Sequence, residues 1–176
     1  MTLSVIIQAK DPVGNLALTV FDIHTFLESK KIGHEIILLE TSDQSIALQE
    51  LNQRLIKSAP ELQIYKVKEE ANASPLSQAV SIAKNEWILC ASQTGFIEVV
   101  ELEKILESLD KKTAYVSNCE HNKEKTSFLG INNKVPEHQL ILATREALAT
   151  LPSDITKEEL VKNLAQKEEF QVNCTG

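Results

Sequence analysis

EWILCASQTG, Glu86 to Gly95, reads as a buried strand that runs directly into a polar loop. Trp87 to Ala91 is an unbroken apolar run of strand length, the pattern of a strand covered on both faces, and Ser92-Gln93-Thr94-Gly95 is turn chemistry. Elsewhere in the first part of the chain, apolar runs of about five residues alternate with amphipathic stretches of about ten to fifteen, which is how successive βαβ units build a mostly parallel sheet. Ligands in such sheets bind beyond the carboxyl ends of the strands, so the loop after Ala91 is where a site is expected. That loop holds no carboxylate.

Before this strand, Leu3 to Ala9 is a Val/Ile-rich first strand, and Asp11-Pro12 supplies a cap and a first-turn proline for a helix with Leu16, Val20, Ile23 and Leu27 on one stripe. Gly33 is expected to end that connection. Glu35 to Leu39 is the second strand, followed by the polar turn Glu40-Thr41-Ser42-Asp43 and a helix carrying Ile46, Leu51, Leu55 and Ile56, which Pro60 stops. Leu62 to Val67 alternates as a strand. Ser74-Pro75 repeats the cap-plus-proline device ahead of Leu76, Ala79, Val80 and Ala83. After the loop, Val99, Leu102, Ile105, Leu106 and Leu109 have helical spacing. Beyond Asp110, short strands are expected at Ala114–Ser117, Ser127–Ile131 and Gln139–Ala143. A short helix over Thr144–Leu151 and a terminal helix opened by the capping box Thr156-x-x-Glu159 follow.

A length of 176 residues fits one domain with a single sizeable core. The net charge of −7 is spread along interleaved Lys and Glu, which disfavours a nucleic-acid partner. The run Leu3–Ile7 is broken by Ser4 and lacks a cationic leader, so neither a signal peptide nor a membrane span is expected. Cys90, Cys119 and Cys174 are odd in number and widely spaced, which argues against a disulfide framework or a zinc site and favours a reducing, cytoplasmic location. Motifs for a P-loop, a dinucleotide fingerprint or a hydrolase elbow are absent from the sequence. His24 and His34 are expected to face solvent or the edge of the core.

Four segments in order carry a likeness to a known family. SVIIQAKDPVGNL, from Ser4, is similar to the opening S-V-I-I-P-x-Y-N-E of family-2-type glycosyltransferases, with Gln8 for proline and Asp11 for asparagine. HEIILLETSDQS, from His34, resembles E-I-I-V-V-D-D-G-S-T-D. NASPLSQAVSIAKNEWILCASQTG, from Asn72, resembles N-x-G-x-x-x-A-x-N-x-G-I-x-x-A-x-G-E-Y-I-L-F-L-D-x-D-D, and the helix near Val99 resembles the segment after that metal motif. The resemblance covers about the first 110 residues and implies a single-domain α/β fold of the GT-A, Rossmann-like kind, an α/β/α sandwich with a mostly parallel central sheet. On this reading residues 1–110 are the nucleotide-binding-type half and residues 111–176 a short, degenerate acceptor-side half.

The departures fall on the chemistry. In the family an acidic pair after the second strand contacts base and ribose; here Glu40 holds the first position and Thr41 the second. An Asp-x-Asp holds the divalent metal under the sugar-nucleotide diphosphate; here Ser92 and Thr94 replace both aspartates. Neutral hydroxyls do not offset the cost of dehydrating Mg²⁺ or Mn²⁺, so no metal cofactor is expected. Hydroxyls and loop N–H groups can still hydrogen-bond phosphate, and Lys10 can place a cation beside a diphosphate. The candidate nucleotide-binding residues are therefore Gln8, Lys10, Asp11, Glu40, Ser92 and Thr94. Glu120, His121, Glu137 and His138 are the acid/base candidates in the second half. Three readings stay open: a glycosyltransferase-like protein that has lost metal-dependent transfer and serves as a binding or scaffolding module for a nucleotide, nucleotide-sugar or protein partner; an active, metal-independent transferase; and a small α/β protein that forms a homodimer.

Overall fold

The computed structural model describes residues 1–8, 14–40, 46–58, 62–66, 74–91, 99–107, 109, 113–117, 140–150 and 171–175. In chain order the elements are β1 (Thr2–Gln8), α1 (Gly14–Ser29), β2 (Gly33–Glu40), α2 (Ile46–Ser58), β3 (Leu62–Lys66), α3 (Pro75–Ile82), β4 (Trp87–Ala91), α4 (Val99–Glu107), β5 (Thr113–Ser117), β6 (Ile141–Thr144), α5 (Arg145–Ala149) and β7 (Gln171–Thr175). The seven strands form one sheet in the order β3-β2-β1-β4-β6-β5-β7. β3, β2, β1 and β4 pair in parallel, β6 runs against both of its neighbours, and β7 pairs in parallel with β5.

Alternation along the central strands sorts side chains into two apolar layers, as a pleat of period two requires. Leu3, Val5 and Ile7 of β1 and Trp87, Leu89 and Ala91 of β4 meet Leu16, Val20, Ile23 and Leu27 of α1, Leu48 of α2, and Leu102 and Ile105 of α4. Ile6, Ile37, Ile88 and Cys90 face the other way, against Ala79 and Val80 of α3 and Ala147 and Leu148 of α5. Both faces of the sheet are thus covered, the arrangement that favours continuous Val/Ile/Leu runs in parallel strands.

Local chemistry sets the helix ends. Ser74 Oγ accepts from the Ser77 N–H at 3.2 Å with Pro75 in the first turn, as the cap-plus-proline reading expects. Thr144 caps α5 in the same manner, accepting from the Ala147 N–H at 3.2 Å. At the far end of α1, Lys31 N–H donates to the Glu28 carbonyl and Ile32 N–H to the Leu27 carbonyl, each at 3.0 Å, with Lys31 at φ 56°. This paired closure is a Schellman motif, and its left-handed position falls to a lysine.

Gly33 ends the α1–β2 connection as expected, as the first residue of β2, where a Cβ would come within 3.3 Å of Thr2 Cγ2 on the paired strand. One expectation about these elements is corrected. In α2 the inward stripe is Leu48, Leu51, Asn52 and Leu55, while Ile46 and Ile56 are 76% and 47% exposed. At about 100° per residue Ile46 lies roughly 160° around the helix from Leu48, so the two cannot share a face. The expected strand Ser127–Ile131 and the terminal helix opened at Thr156 fall outside the described residues. β7 was not anticipated by the pattern of the sequence.

Candidate functional site at the carboxyl edge of the sheet

The chain steps from β1 to β2 and β3 on one side, then crosses to β4 on the other side of β1. Connections therefore diverge between β1 and β4, which is the switch point where an open sheet leaves a crevice. Ile7 pairs with Ala91, so the segments that follow Gln8 and Ala91 start from adjacent strands, about 4.8 Å apart by ordinary strand spacing. Gln8 pairs with Leu39, and Glu40, one residue further along β2, pairs with Lys66 at the end of β3. The fold thus brings Gln8 and Glu40 to one edge, the edge at which β1 and β4 end. Lys10, Asp11, Ser92 and Thr94, with Glu120, His121, Glu137 and His138, lie outside the described residues.

The donor set can be tested against a hard divalent cation. Among the described residues that terminate strands at this edge, Glu40 is the one carboxylate, and it stands on β2, with β1 between it and β4. Ser92-Gln93-Thr94 contributes hydroxyl and amide oxygens only. Cations of this class are held by carboxylate and phosphate oxygens, and among the described residues at this edge Glu40 alone offers a carboxylate.

The opposite edge of the sheet carries a polar cluster that sequence reading missed. Ser4 on β1 and Glu35 on β2 are register partners, and both are buried. Ser4 Oγ donates to Glu35 Oε1 at 2.6 Å, the Lys84 backbone N–H donates to the same oxygen at 2.7 Å, and the Asn85 N–H donates to Ser4 Oγ at 3.2 Å. Lys84 Nζ stands 3.9 Å from Glu35 Oε2. The Arg145 guanidinium donates to the Ala83 carbonyl at 3.0 Å, and the Arg145 N–H donates to the Glu86 carbonyl at 2.7 Å. This network fixes the α3–β4 turn against β1, β2 and α5, and so fixes where β4 begins. The available signal was a Ser and a Glu at inward positions of two otherwise apolar strands.

No protein-family model and no curated protein matches the sequence. Solved structures do match the fold. A mannosyltransferase, PcManGT from Pyrobaculum calidifontis, solved with GDP-Man and Mn²⁺, superposes with a TM-score of 0.69 at 13% identity over 98% of this chain and 54% of that one. TarS 1–349 from S. aureus, solved with UDP-GlcNAc, gives 0.60 at 10% identity over 99% of this chain and 56% of that one. HddC from Yersinia pseudotuberculosis gives 0.57 at 13% identity over 97% of this chain and 89% of that one. The chain spans little more than half the length of the first two and nearly nine-tenths of the third. It has the α/β/α fold of GT-A-type glycosyltransferases. No helix among the described residues is long and apolar enough to cross a membrane.

Proposed function

We propose that this chain is a glycosyltransferase-fold module that binds a nucleoside diphosphate or nucleotide-sugar without a metal and has lost metal-dependent sugar transfer. The observation that carries this reading is the pairing of Ile7 with Ala91, which sets the ends of β1 and β4 side by side at the switch point. Similar folds solved with GDP-Man and with UDP-GlcNAc supply the ligand class.

In this reading Lys10 offsets diphosphate charge, Ser92 and Thr94 hydrogen-bond phosphate oxygens, and Glu40 accepts from ribose or base. Gln8 and Asp11 line the same crevice. No step passes through a metal, because Ser92 and Thr94 stand where the resembled Asp-x-Asp pair would be. Residues 111–176 form a short acceptor-side half whose strands complete the sheet.

The test is thermal shift with UDP, GDP and their sugars, each in EDTA and in Mn²⁺. A ligand at about a hundred times its Kd stabilises by about 2.7 kcal/mol, which for a chain of this size raises Tm by about 5–10 °C. The expected result is the same rise in both buffers, with the sugar nucleotide recovered intact. A rise that needs Mn²⁺ contradicts the metal-free site, turnover in EDTA favours a metal-independent transferase, and no rise with any nucleotide ends the nucleotide-binding reading.

A further inference from the structure

A second cluster of ligand-type side chains lies at the other end of the sheet, where α1 hands over to β2. His24 and Glu28 are four residues apart on α1 and so share a helix face. The Schellman closure at Lys31 turns the chain back and sets His34, the second residue of β2, against that face. His24 Nδ1 and His34 Nε2 are 3.1 Å apart, the ring centroids are 5.3 Å apart, and Glu28 Oε1 is 4.0 Å from His34 Nδ1. One ligand atom from each of the three residues falls within 4.8 Å of the others. Both histidines sit at the edge of the core as expected, and the His34 side chain is the more enclosed, 2% exposed.

The hydrogen bonding of His34 fixes its chemistry. Its Nδ1 stands 3.0 Å from the Ile32 carbonyl, which can only accept, so the proton resides on Nδ1. The Nε2 lone pair then accepts from His24 Nδ1–H, a bond that an ion between the two nitrogens would replace. A backbone carbonyl holding one imidazole nitrogen while the other is left basic is the support that metal-ligating histidines ordinarily have. The 3.1 Å separation between the two nitrogens is close to the edge of a tetrahedron with metal–nitrogen bonds of about 2.0–2.1 Å, which is about 3.3 Å.

We propose that His24, Glu28 and His34 form a Zn²⁺ site, with Glu28 swinging in as the carboxylate ligand and water in the fourth position. Two imidazoles and one carboxylate are a donor set suited to zinc rather than to Mg²⁺ or Ca²⁺. The three residues divide the work by exposure. His34 is held rigid by burial and by Ile32, whereas the Glu28 side chain, 65% exposed, has room to close on an ion and leaves water access to it. A bound ion ties the last turns of α1 to the first residues of β2, across a connection closed by a lysine in the left-handed region. This site is independent of the crevice at the carboxyl edge.

The test uses the full chain without an affinity tag, stripped with EDTA and dialysed. Isothermal titration with ZnCl₂ is expected to give one ion per chain, and CoCl₂ the visible d–d bands of a four-coordinate nitrogen–oxygen site. His24→Gln, which leaves the buried His34 in place, is expected to weaken zinc binding at least tenfold and abolish the cobalt bands. Glu28→Gln is expected to weaken it less, and the double variant His121→Gln/His138→Gln to bind as the parent does. Absence of stoichiometric zinc uptake by the parent chain overturns the proposal. So does unchanged uptake by a folded His24→Gln variant, or a loss confined to the His121/His138 variant.

Discussion

Ser4 Oγ donates a 2.6 Å hydrogen bond to Glu35 Oε1 between register partners on β1 and β2, inside the sheet's buried surface. The same carboxylate oxygen also accepts from the Lys84 N–H, so one side chain joins three segments that are distant in sequence. Removing it leaves the buried Ser4 hydroxyl without its acceptor, at about 1–3 kcal/mol, and the part-buried Lys84 N–H without one at a smaller cost. Glu35→Ala is therefore expected to lower the free energy of unfolding in urea by about 3 kcal/mol. Glu35→Gln, which keeps an acceptor oxygen, is expected to cost about 1 kcal/mol. Equal losses for the two variants would show that the carboxylate stabilises by charge and not by accepting these bonds.

Lys31 occupies the left-handed position of the α1 closure at φ 56°. A side chain there costs about 1–2 kcal/mol, and glycine removes that cost while adding entropy to the unfolded chain. Lys31→Gly is expected to stabilise the protein by about 0.5–1 kcal/mol, seen as a Tm higher by about 1–3 °C. A drop in Tm would mean that the lysine side chain contributes more here than its backbone conformation costs.

The facing of α2 gives a paired comparison. Leu48 is 1% exposed within the α1/α2/α4 layer, and Ile46 is 76% exposed. Leu48→Ala is expected to cost about 3 kcal/mol through lost burial and the cavity left behind, and Ile46→Lys to change stability by less than about 0.5 kcal/mol. Chemical denaturation separates the two. Comparable losses would place the helix about half a turn from its described orientation.

The sequence carried the fold wherever a single period dominated. Trp87–Ala91 is the fourth strand residue for residue, and the stripe Leu16, Val20, Ile23 and Leu27 is buried as spaced. Ser74-Pro75 opens α3 because a side-chain acceptor and a fixed φ act locally. Long-range pairing was less legible. β7 pairs with β5 across more than fifty residues, and nothing in QVNCT marks its partner. In α2 the aliphatic residues Ile46, Leu51, Leu55 and Ile56 do not share one face, and the inward stripe takes in Leu48 and Asn52 in place of Ile46 and Ile56. At the candidate site, the adjacency of the β1 and β4 ends followed from parallel topology alone. The Ser4–Glu35 network and the His24–His34 pair did not, since each depends on side chains that meet only once the sheet has formed.

Metal-free binding at the β1–β4 switch point is tested most directly by isothermal titration with UDP and with GDP, once in EDTA and once in Mn²⁺, on the parent chain and on Lys10→Ala. The expected result is one nucleotide per chain with the same Kd in both buffers, weakened about tenfold by Lys10→Ala through loss of a charge-assisted contact. A Kd that tightens severalfold with Mn²⁺, or no heat with either nucleotide in either buffer, would contradict it.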